Sequence, residues 1–546
     1  MPMQALAQQV EERGSQVYLR QPKNGVYHEL TWAQVYDQSL RLAQGLLDNG
    51  LEKGDRVAII STNCAEWFIA DFAIIAAGLV PTPIYATAGH DTIEYILKHS
   101  GAKAVFIGSL AKTSVAVGAV PNGVKTIAMS EGPKQTDLTL TQLVNDSAAL
   151  KQTYQAQVQD MFSIVYTSGS TGAPKGVVLT YKNAAFSGTA GAKLTADHRG
   201  GNEERYLSYL PLAHVTERGL VEYASLYTGA TVTFNESIDT FIDDLRSAEV
   251  TFFLSVPRLW VKFQSKVLAS IPEKKLDFML KIPILNSIIK NKIKAQLGFS
   301  NTLAFGSGSA PISASVLEWF AKLDINISEG WGMSETIGLA TTNFPFKKQK
   351  LGTIGAPVDG FELRLSEQGE IQIKGDGLFQ EYYRNPETTA ASFTNDGFLR
   401  TGDKGEVDSD GFYRITGRVK DLFKSGKGKY VAPVPIESKM GANVLIEQIC
   451  VMGSGLPAAM AVIVLSKEVA NKMNQDQIEE SLLNTVKEVN SKIEKHEVIG
   501  GIYIVKEEWS IENGLLTPTL KVKRSQLEDK YLSVLEDQTN DVVWEQ

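Results

Sequence analysis

Residues 166–178, YTSGSTGAPKGVV, combine small, hydroxylated and cationic side chains in a pattern that suits phosphate binding. Seven of the ten residues from Thr167 to Gly176 are Gly, Ser or Thr, and Lys175 lies near the end of the run. Glycines let backbone N–H groups approach an anion, hydroxyls add donors, and lysine supplies a point charge. The Walker A spacing does not fit, because Gly176 follows Lys175. The stretch predicts a polyphosphate loop, and a plain small-residue linker is the alternative.

The residues on both sides of this loop predict the elements that hold it. Apolar, β-rich runs precede and follow it, which indicates a strand, a loop and a second strand. The first 150 residues alternate helical and strand patterns, and this alternation is typical of parallel βαβ units. DG turns between short alternating runs predict a β-hairpin region at 394–418. The fold class expected is α/β, with a large N-terminal domain (1–419) of βαβ units plus the hairpin or barrel region, and a small α/β C-terminal domain (420–546).

Composition limits the classes of function. The chain has 546 residues, more than one simple core accommodates, and its net charge of −8 argues against general nucleic-acid binding. Two distant cysteines, Cys64 and Cys450, provide no disulfide framework and fit a reducing compartment. The N-terminus is polar and has no signal-peptide core, so we expect a cytoplasmic protein.

Five motifs in order resemble the adenylate-forming superfamily of acyl-CoA synthetases, luciferases and peptide-synthetase adenylation domains. They are YTSGSTGAPKG, GWGMSET (330–336), TGD (401–403), GRVKDLFKSGKGKY (417–430) and LTPTLKVKR (516–524). The resemblance covers nearly the whole chain. It implies ATP, Mg²⁺ and CoA as cofactors, and a mobile C-terminal domain.

The resemblance assigns candidate nucleotide-binding residues, several of which also have a physical rationale. Glu335 is implied as the Mg²⁺ ligand and a catalytic residue, because a carboxylate suits a hard cation that bridges phosphates. Trp331 is expected to stack on adenine, and Asp403 to accept hydrogen bonds from ribose hydroxyls. A core tryptophan beside a surface glutamate and an ordinary turn are the alternatives. The remaining implied nucleotide contacts are Thr167 and Lys175 (both also implied as catalytic), Ser168, Gly169, Ser170, Thr171, Gly172, Gly308, Ser309, Ala310, Gly330, Gly332, Met333, Ser334 and Arg418.

The resemblance also assigns residues to the chemistry and to the domain movement. Lys521 aligns with the lysine that promotes adenylation, where an ammonium offsets the charge that develops on the phosphoryl oxygens. Lys420 falls at the hinge position, and Gly426 belongs to a run expected to enter the pantetheine tunnel. His214, in LPLAHVTER, lies at the position that lines the acyl entrance. It is expected to gate the tunnel, and a structural histidine is the alternative.

The phrases LPLAHVTER and SVPRLW (255–260) most resemble bacterial long-chain fatty acid–CoA ligases. We therefore expect activation of a fatty acid by ATP and its transfer to CoA. The alternatives are an aryl-CoA ligase, a carrier-protein acyl ligase, a β-lactone synthetase and a non-catalytic acyl-nucleotide-binding protein. Residues 274–297 mix lysines with bulky apolar residues, so they are expected either to touch an anionic membrane peripherally or to pack as a core helix. A homodimer is also expected.

Overall fold

The computed structural model describes residues 1–167, 174–199, 203–426, 428–517, 520–536, 538 and 540–545. Helices and strands alternate through most of these residues, which confirms the expected α/β class. The α-helices span Pro2–Arg13, Trp32–Asp48, Ala65–Ala76, His90–Ser100, Thr113–Gly118, Leu140–Asp146, Tyr181–Arg199, Val215–Glu217, Ala224–Thr228, Phe241–Ala248, Pro257–Ser270, Glu273–Leu280, Pro283–Leu297, Ala314–Ala321, Pro386–Ser392, Pro433–Met440, Lys467–Ala470, Gln475–Asn490 and Arg524–Glu536. Short 3₁₀ turns span Ser334–Thr336 and Lys348–Lys350.

The first βαβ units form a parallel sheet with buried strands. Its order is Val80–Ile84, Arg56–Ile60, Ala102–Ile107, Lys125–Ala128 and Leu138–Thr139. Apolar runs such as Arg56–Ile60 are expected where helices cover both faces of a parallel sheet. A second sheet joins strands that are distant in sequence, in the order Arg205–Ser208, Thr231–Phe234, Val17–Lys23 and Val26–Thr31.

A third sheet brings three parallel strands to one edge, where their carboxyl ends meet. The order is Phe252–Ser255, Ala304–Ser307, Ile327–Trp331, Thr341–Thr342 and Ala356–Pro357, and the first three strands are parallel. Ligands of α/β proteins bind beyond the carboxyl ends of parallel strands. The segments 308–310 and 330–336 lie at this edge.

The strands around the phosphate-type loop pair as the sequence predicts. Met161–Thr167 and Lys175–Thr180 are antiparallel, with Thr167 opposite Lys175, and Glu381–Tyr382 adds a third strand beside Lys175–Thr180. The predicted Ser168, Gly169, Ser170, Thr171 and Gly172 contacts lie outside the described residues.

The predicted hairpin region is also present. Leu399–Val407 and Tyr413–Arg418 are antiparallel, and they extend a sheet formed with Phe361–Leu365 and Glu370–Gly375. Beyond it, Phe423–Lys424 pairs with Tyr430–Val431. The C-terminal segment (420–546) has its own sheet in the order Ile446–Met452, Ala459–Leu465, Ile499–Val505 and Val542–Trp544, and this sheet packs within its own apolar core.

A buried ionic network holds the π-helix Arg218–Tyr223 against the neighbouring elements. Arg218 donates to Asp71 Oδ1 over 2.7 Å and to Ser163 Oγ over 2.8 Å, and it lies 3.5 Å from Glu222 Oε2. The hydroxyl of Tyr223 donates to the second oxygen of Asp71. Burial raises the pKa of Glu222 well above its ordinary value, and the nearby Asp71 charge adds to the rise.

Residues 274–297 form two helices, Glu273–Leu280 and Pro283–Leu297, because Pro283 starts the second one. Ile289 and Ile293 are buried, whereas Ile284 and Ile288 are 77% and 55% exposed. The core-packing alternative therefore describes one face of the second helix and leaves the other face open. No helix among the described residues combines the length and apolar composition needed to cross a membrane.

Candidate functional site

A cleft of about 2000 Å³ opens where the third sheet, the 399–418 hairpin and the C-terminal segment meet. Its lining includes residues of the third sheet, of the hairpin and of the C-terminal segment, together with Tyr85, Thr167 and His214. The structure brings most predicted site residues to this cleft: Thr167, His214, Gly308, Ser309, Ala310, Gly330, Trp331, Gly332, Met333, Ser334, Glu335, Asp403, Arg418, Lys420 and Lys521. Lys175 and Gly426 are not among the residues that line it. The amide of Gly426 donates to the carbonyl of Leu456 over 2.7 Å, inside the C-terminal segment.

Two side chains hold the carboxylate of Asp403. The indole Nε1 of Trp331 donates to Oδ2 over 2.9 Å, and Nε of Arg418 donates to Oδ1 over 2.6 Å. Asp403 and Arg418 face each other across the hairpin, so its register sets this ion pair. Each carboxylate oxygen can accept more than one hydrogen bond, so Asp403 retains capacity for a hydroxylated ligand.

The segments 308–310 and 330–332 lie close enough to form a narrow slot. A side chain at Gly308 would stand 3.3 Å from the carbonyl oxygen of Gly330. A Cβ at Gly332 would come within 1.7 Å of the carbonyl oxygen of Gly338, so only glycine fits there. Trp331 lies between Gly330 and Gly332 in sequence, and its side chain is buried.

Tyr382 links the two residues predicted to handle phosphate and metal. Its hydroxyl donates to Glu335 Oε1 over 2.6 Å, and Lys175 Nζ lies 5.1 Å from the centre of its ring. The strand Glu381–Tyr382 pairs with the strand that begins at Lys175, and this pairing places the ring. Tyr382 is more than 200 residues from Lys175 in sequence, and no spacing signal identifies it.

Lys521 faces this cluster from the C-terminal segment. Desolvation lowers the pKa of its ammonium and the charge of Arg418 lowers it further, whereas the carboxylates of Asp403 and Glu335 raise it. Lys521 is exposed and lines the cleft. The amide of Lys521 donates to Thr517 Oγ1 over 3.0 Å.

His214, which lines the cleft and is partly buried, and Glu217, which is buried, are both neutral at pH 7. Desolvation and the nearby Lys521 charge lower the pKa of His214 to about 3. Its Nδ1 accepts a hydrogen bond from the amide of Thr216 over 3.2 Å, which caps a short helix. Burial raises the pKa of Glu217 to about 8, although its Oε1 accepts from the amide of Tyr209 over 3.0 Å.

Glu329 is a cleft residue that the sequence motifs did not single out. Burial raises its pKa to about 8, and its Oε2 accepts a hydrogen bond from the amide of Gly352 over 2.9 Å. Glu329 directly precedes GWGMSET, and this position next to a motif is the sequence feature that could have identified it as a site residue. The carboxyl is therefore protonated at neutral pH.

The cleft lining combines the charged side chains of Asp403, Glu335 and Lys521 with apolar side chains. Phe252 and Leu254 lie on one face of their strand, and Phe253 lies on the opposite face in a separate core. The apolar cleft residues include Tyr206, Leu220, Phe252, Leu254, Phe305 and Leu339. The cleft can hold both a charged group and an apolar chain.

Comparison with known proteins decides the family. The sequence profile described as "AMP-binding enzyme" matches residues 6–383, and that described as "AMP-binding enzyme C-terminal domain" matches residues 421–541. The chain belongs to the AMP-binding enzyme family. It is therefore an adenylate-forming enzyme with the large and small α/β units of that family.

Named relatives of this AMP-binding enzyme match it over most of their length. A long-chain-fatty-acid–CoA ligase of Mycobacterium bovis is 32% identical over 94% of this chain and 92% of its own. Fatty acyl-CoA synthetase A of Dictyostelium discoideum is 29% identical over 96% of this chain and 87% of its own.

Solved structures share the fold of this AMP-binding enzyme. The A domain of a carboxylic acid reductase from Segniliparus rugosus, in complex with AMP and a co-purified carboxylic acid, superposes with a TM-score of 0.80 at 21% identity, covering 97% of this chain and 92% of that domain. The o-succinylbenzoate CoA synthetase of Bacillus subtilis, in complex with its acyl-adenylate intermediate, superposes with a TM-score of 0.74 at 22% identity, covering 96% and 98% of the two chains.

Proposed function

We propose that this enzyme is a long-chain fatty acid–CoA ligase that uses ATP. The observation that carries the proposal is the cleft itself, whose lining combines apolar side chains with the cluster of Lys521, Asp403 and Glu335. The names of the relatives support the same substrate class. A fatty acid needs an apolar channel that ends where its carboxylate meets the α-phosphate of ATP.

The first half-reaction joins the acid to AMP. A carboxylate oxygen attacks the α-phosphorus, the bond from that phosphorus to the bridging oxygen breaks, and pyrophosphate leaves. Lys521 offsets the negative charge that grows on the phosphoryl oxygens, and Lys175 with Thr167 holds the departing pyrophosphate. Trp331 and Asp403 orient the nucleoside. His214 lines the entrance through which the acid reaches this point.

Glu335 fits the role of a magnesium ligand. The described residues contain no cluster of three or more His, Cys, Asp or Glu side chains that could hold a metal alone. A single cleft carboxylate, oriented by Tyr382, matches a Mg²⁺ ion that takes its other ligands from phosphates and water. When bound, Mg²⁺ neutralises charge on the phosphates.

The second half-reaction transfers the acyl group to CoA. The thiol sulfur attacks the acyl carbon, the bond from that carbon to the AMP oxygen breaks, and AMP leaves. We propose domains of 1–419 and 420–546, with the smaller one turning about Lys420 between the two steps and bringing the Gly426 run towards the pantetheine. The expected homodimer and the cytoplasmic location stay predictions, which sedimentation velocity and cell fractionation would test.

Pyrophosphate release across a panel of acids, with and without CoA, tests the substrate class and the acceptor. We expect the highest kcat/KM with long-chain fatty acids and complete turnover only with CoA. Higher activity with aryl acids would favour an aryl-CoA ligase. Turnover with a hydroxy acid in the absence of CoA would favour a β-lactone synthetase, and turnover that requires a carrier protein would favour a carrier-protein ligase.

We also propose that the exposed side of residues 274–297 touches an anionic membrane. Phe278, Ile284 and Ile288 are 64%, 77% and 55% exposed, and Lys281 and Lys292 are exposed near them. Apolar side chains combined with lysines favour insertion at an anionic interface. Lys290 is unsuitable as a probe, because it binds Asp324 over 3.0 Å.

Liposome flotation tests this contact. Ile284→Ser combined with Ile288→Ser should reduce co-flotation with vesicles that contain phosphatidylglycerol, whereas Ile238→Ser, at another exposed site, should leave it unchanged. Equal flotation of both variants would return the segment to a packing role.

A further inference from the structure

The helix Pro257–Ser270 contacts the C-terminal segment at both of its ends. At its start, Arg258 Nη2 binds Glu447 Oε1 over 3.3 Å and also binds Glu508 Oε1. Near its end, the carbonyl of Ala269 accepts a hydrogen bond from Lys472 Nζ over 3.3 Å. The helix follows directly from the strand Phe252–Ser255, which lines the cleft. It therefore connects the cleft wall to the C-terminal segment.

The position of Arg258 is informative because a cation there opposes the helix. The positive end of the helix dipole lies at the first turn, where acidic residues are favoured and arginine is not. Pro257 starts the helix, and Arg258 follows immediately. The two carboxylates that compensate this charge, Glu447 and Glu508, both come from the C-terminal segment, so the first turn is electrostatically satisfied in the observed arrangement of the two units.

The same arrangement presents Lys521 to the cleft. Asp403 and Glu335, both before residue 419, raise the pKa of Lys521 by their charge, so the lysine lies within their electrostatic range. Nothing covalent holds the C-terminal segment in this orientation except the chain near Lys420. The contacts on helix Pro257–Ser270 therefore help to decide which way the C-terminal segment faces.

We propose that Arg258 is a positioning residue for adenylation. Its ion pairs with Glu447 and Glu508 hold the C-terminal segment with Lys521 facing the nucleotide end of the cleft. All three side chains are partly exposed, so the pairs add little to overall stability. A small bias is sufficient to favour one of two arrangements of similar free energy.

The test measures the two half-reactions separately and rests on the proposed function. Arg258→Ala should lower acid-dependent ATP–pyrophosphate exchange about three- to ten-fold and leave thioester formation from supplied acyl-adenylate unchanged or faster. Arg364→Ala is the matched control, because it removes an ion pair, with Asp396, that lies entirely before residue 419. The control should change neither half-reaction.

Charge reversal separates positioning from general damage. Arg258→Glu should slow exchange further, and Glu447→Arg together with Glu508→Arg should restore it in the same chain. The Arg258→Lys variant should retain most of the exchange rate. Raising the salt concentration should reduce the difference in exchange rate between the wild type and Arg258→Ala, because salt screens exposed ion pairs.

Two results would overturn the inference. One is an equal loss of both half-reactions in Arg258→Ala, and the other is an unchanged exchange rate. Failure of the proposed function is distinguishable from either, because the wild type would then show no fatty-acid-dependent exchange.

Discussion

Lys521 lines the cleft and lies within the electrostatic range of the carboxylates of Asp403 and Glu335. Lys523 and Arg524 are its basic neighbours in sequence. The structure distinguishes Lys521 from Arg524 by their partners. Arg524 binds both oxygens of Glu437 over 2.8 and 3.0 Å within the C-terminal segment, whereas Lys521 is influenced by Asp403 and Glu335 across the cleft.

Lys521→Ala should lower acyl-adenylate formation about 10²- to 10³-fold, because the transition state loses its mobile cation. Thioester formation from supplied acyl-adenylate should be retained, and Lys523→Ala should affect both steps little. Since the pKa of Lys521 is lowered, wild-type pyrophosphate exchange should fall at alkaline pH as the ammonium deprotonates, and this fall should be absent from the residual activity of Lys521→Ala. Equal loss of both half-reactions would refute the assignment.

Tyr382 orients Glu335 through a single hydrogen bond. Tyr382→Phe keeps the ring beside Lys175 and removes only the hydroxyl, so we expect the concentration of Mg²⁺ required for half-maximal exchange to rise about 10-fold or more. Binding of Mn²⁺ with ATP, followed by electron paramagnetic resonance, should weaken in parallel. Tyr383→Phe, at the neighbouring position, is the control. An unchanged Mg²⁺ requirement in Tyr382→Phe would show that Tyr382 does not orient the metal ligand.

Some elements of this site follow from local sequence patterns, whereas others depend on the pairing of distant strands. Local patterns were sufficient for the strands around the phosphate-type loop and for the hairpin that pairs Asp403 with Arg418. Tyr382 depends on the pairing of a two-residue strand with a partner more than 200 residues away. Such pairings are set by tertiary packing, which periodicity and spacing do not encode.

The π-helix Arg218–Tyr223 depends on its buried charges. Arg218→Met would leave Asp71 and Glu222 buried without their cation, and removal of one partner from a buried pair costs about 3–5 kcal/mol. The guanidinium chloride midpoint of the N-terminal unit should fall accordingly, and Arg364→Met, at an exposed ion pair, should have a small effect. Adding Asp71→Asn to Arg218→Met should recover part of the loss. If the midpoint did not recover, lost packing, and not an unpaired charge, would account for the destabilisation by Arg218→Met.

At the scale of the whole molecule, two buried carboxyls give the enzyme a pH-dependent stability. Burial raises the pKa values of Glu217 and Glu329 to about 8, so both are protonated in the native state at neutral pH. In the unfolded chain they ionise near their ordinary pKa, about 4.3. These two carboxyls therefore bind more protons in the native state between about pH 4.3 and pH 8, and their contribution to the free energy of unfolding decreases as pH rises through this window.

Glu217→Gln and Glu329→Gln should each flatten that decrease. Glutamine keeps the acceptor oxygen for Tyr209 or Gly352 and cannot ionise, so each variant removes a slope of up to about 1.4 kcal/mol per pH unit. Guanidinium chloride midpoints at pH 5, 6, 7 and 8, measured without nucleotide, would show the variants gaining stability relative to wild type as pH rises. Glu11→Gln, at an exposed position, should follow the wild-type curve. Parallel curves for all four proteins would mean that neither carboxyl holds its proton in the folded enzyme.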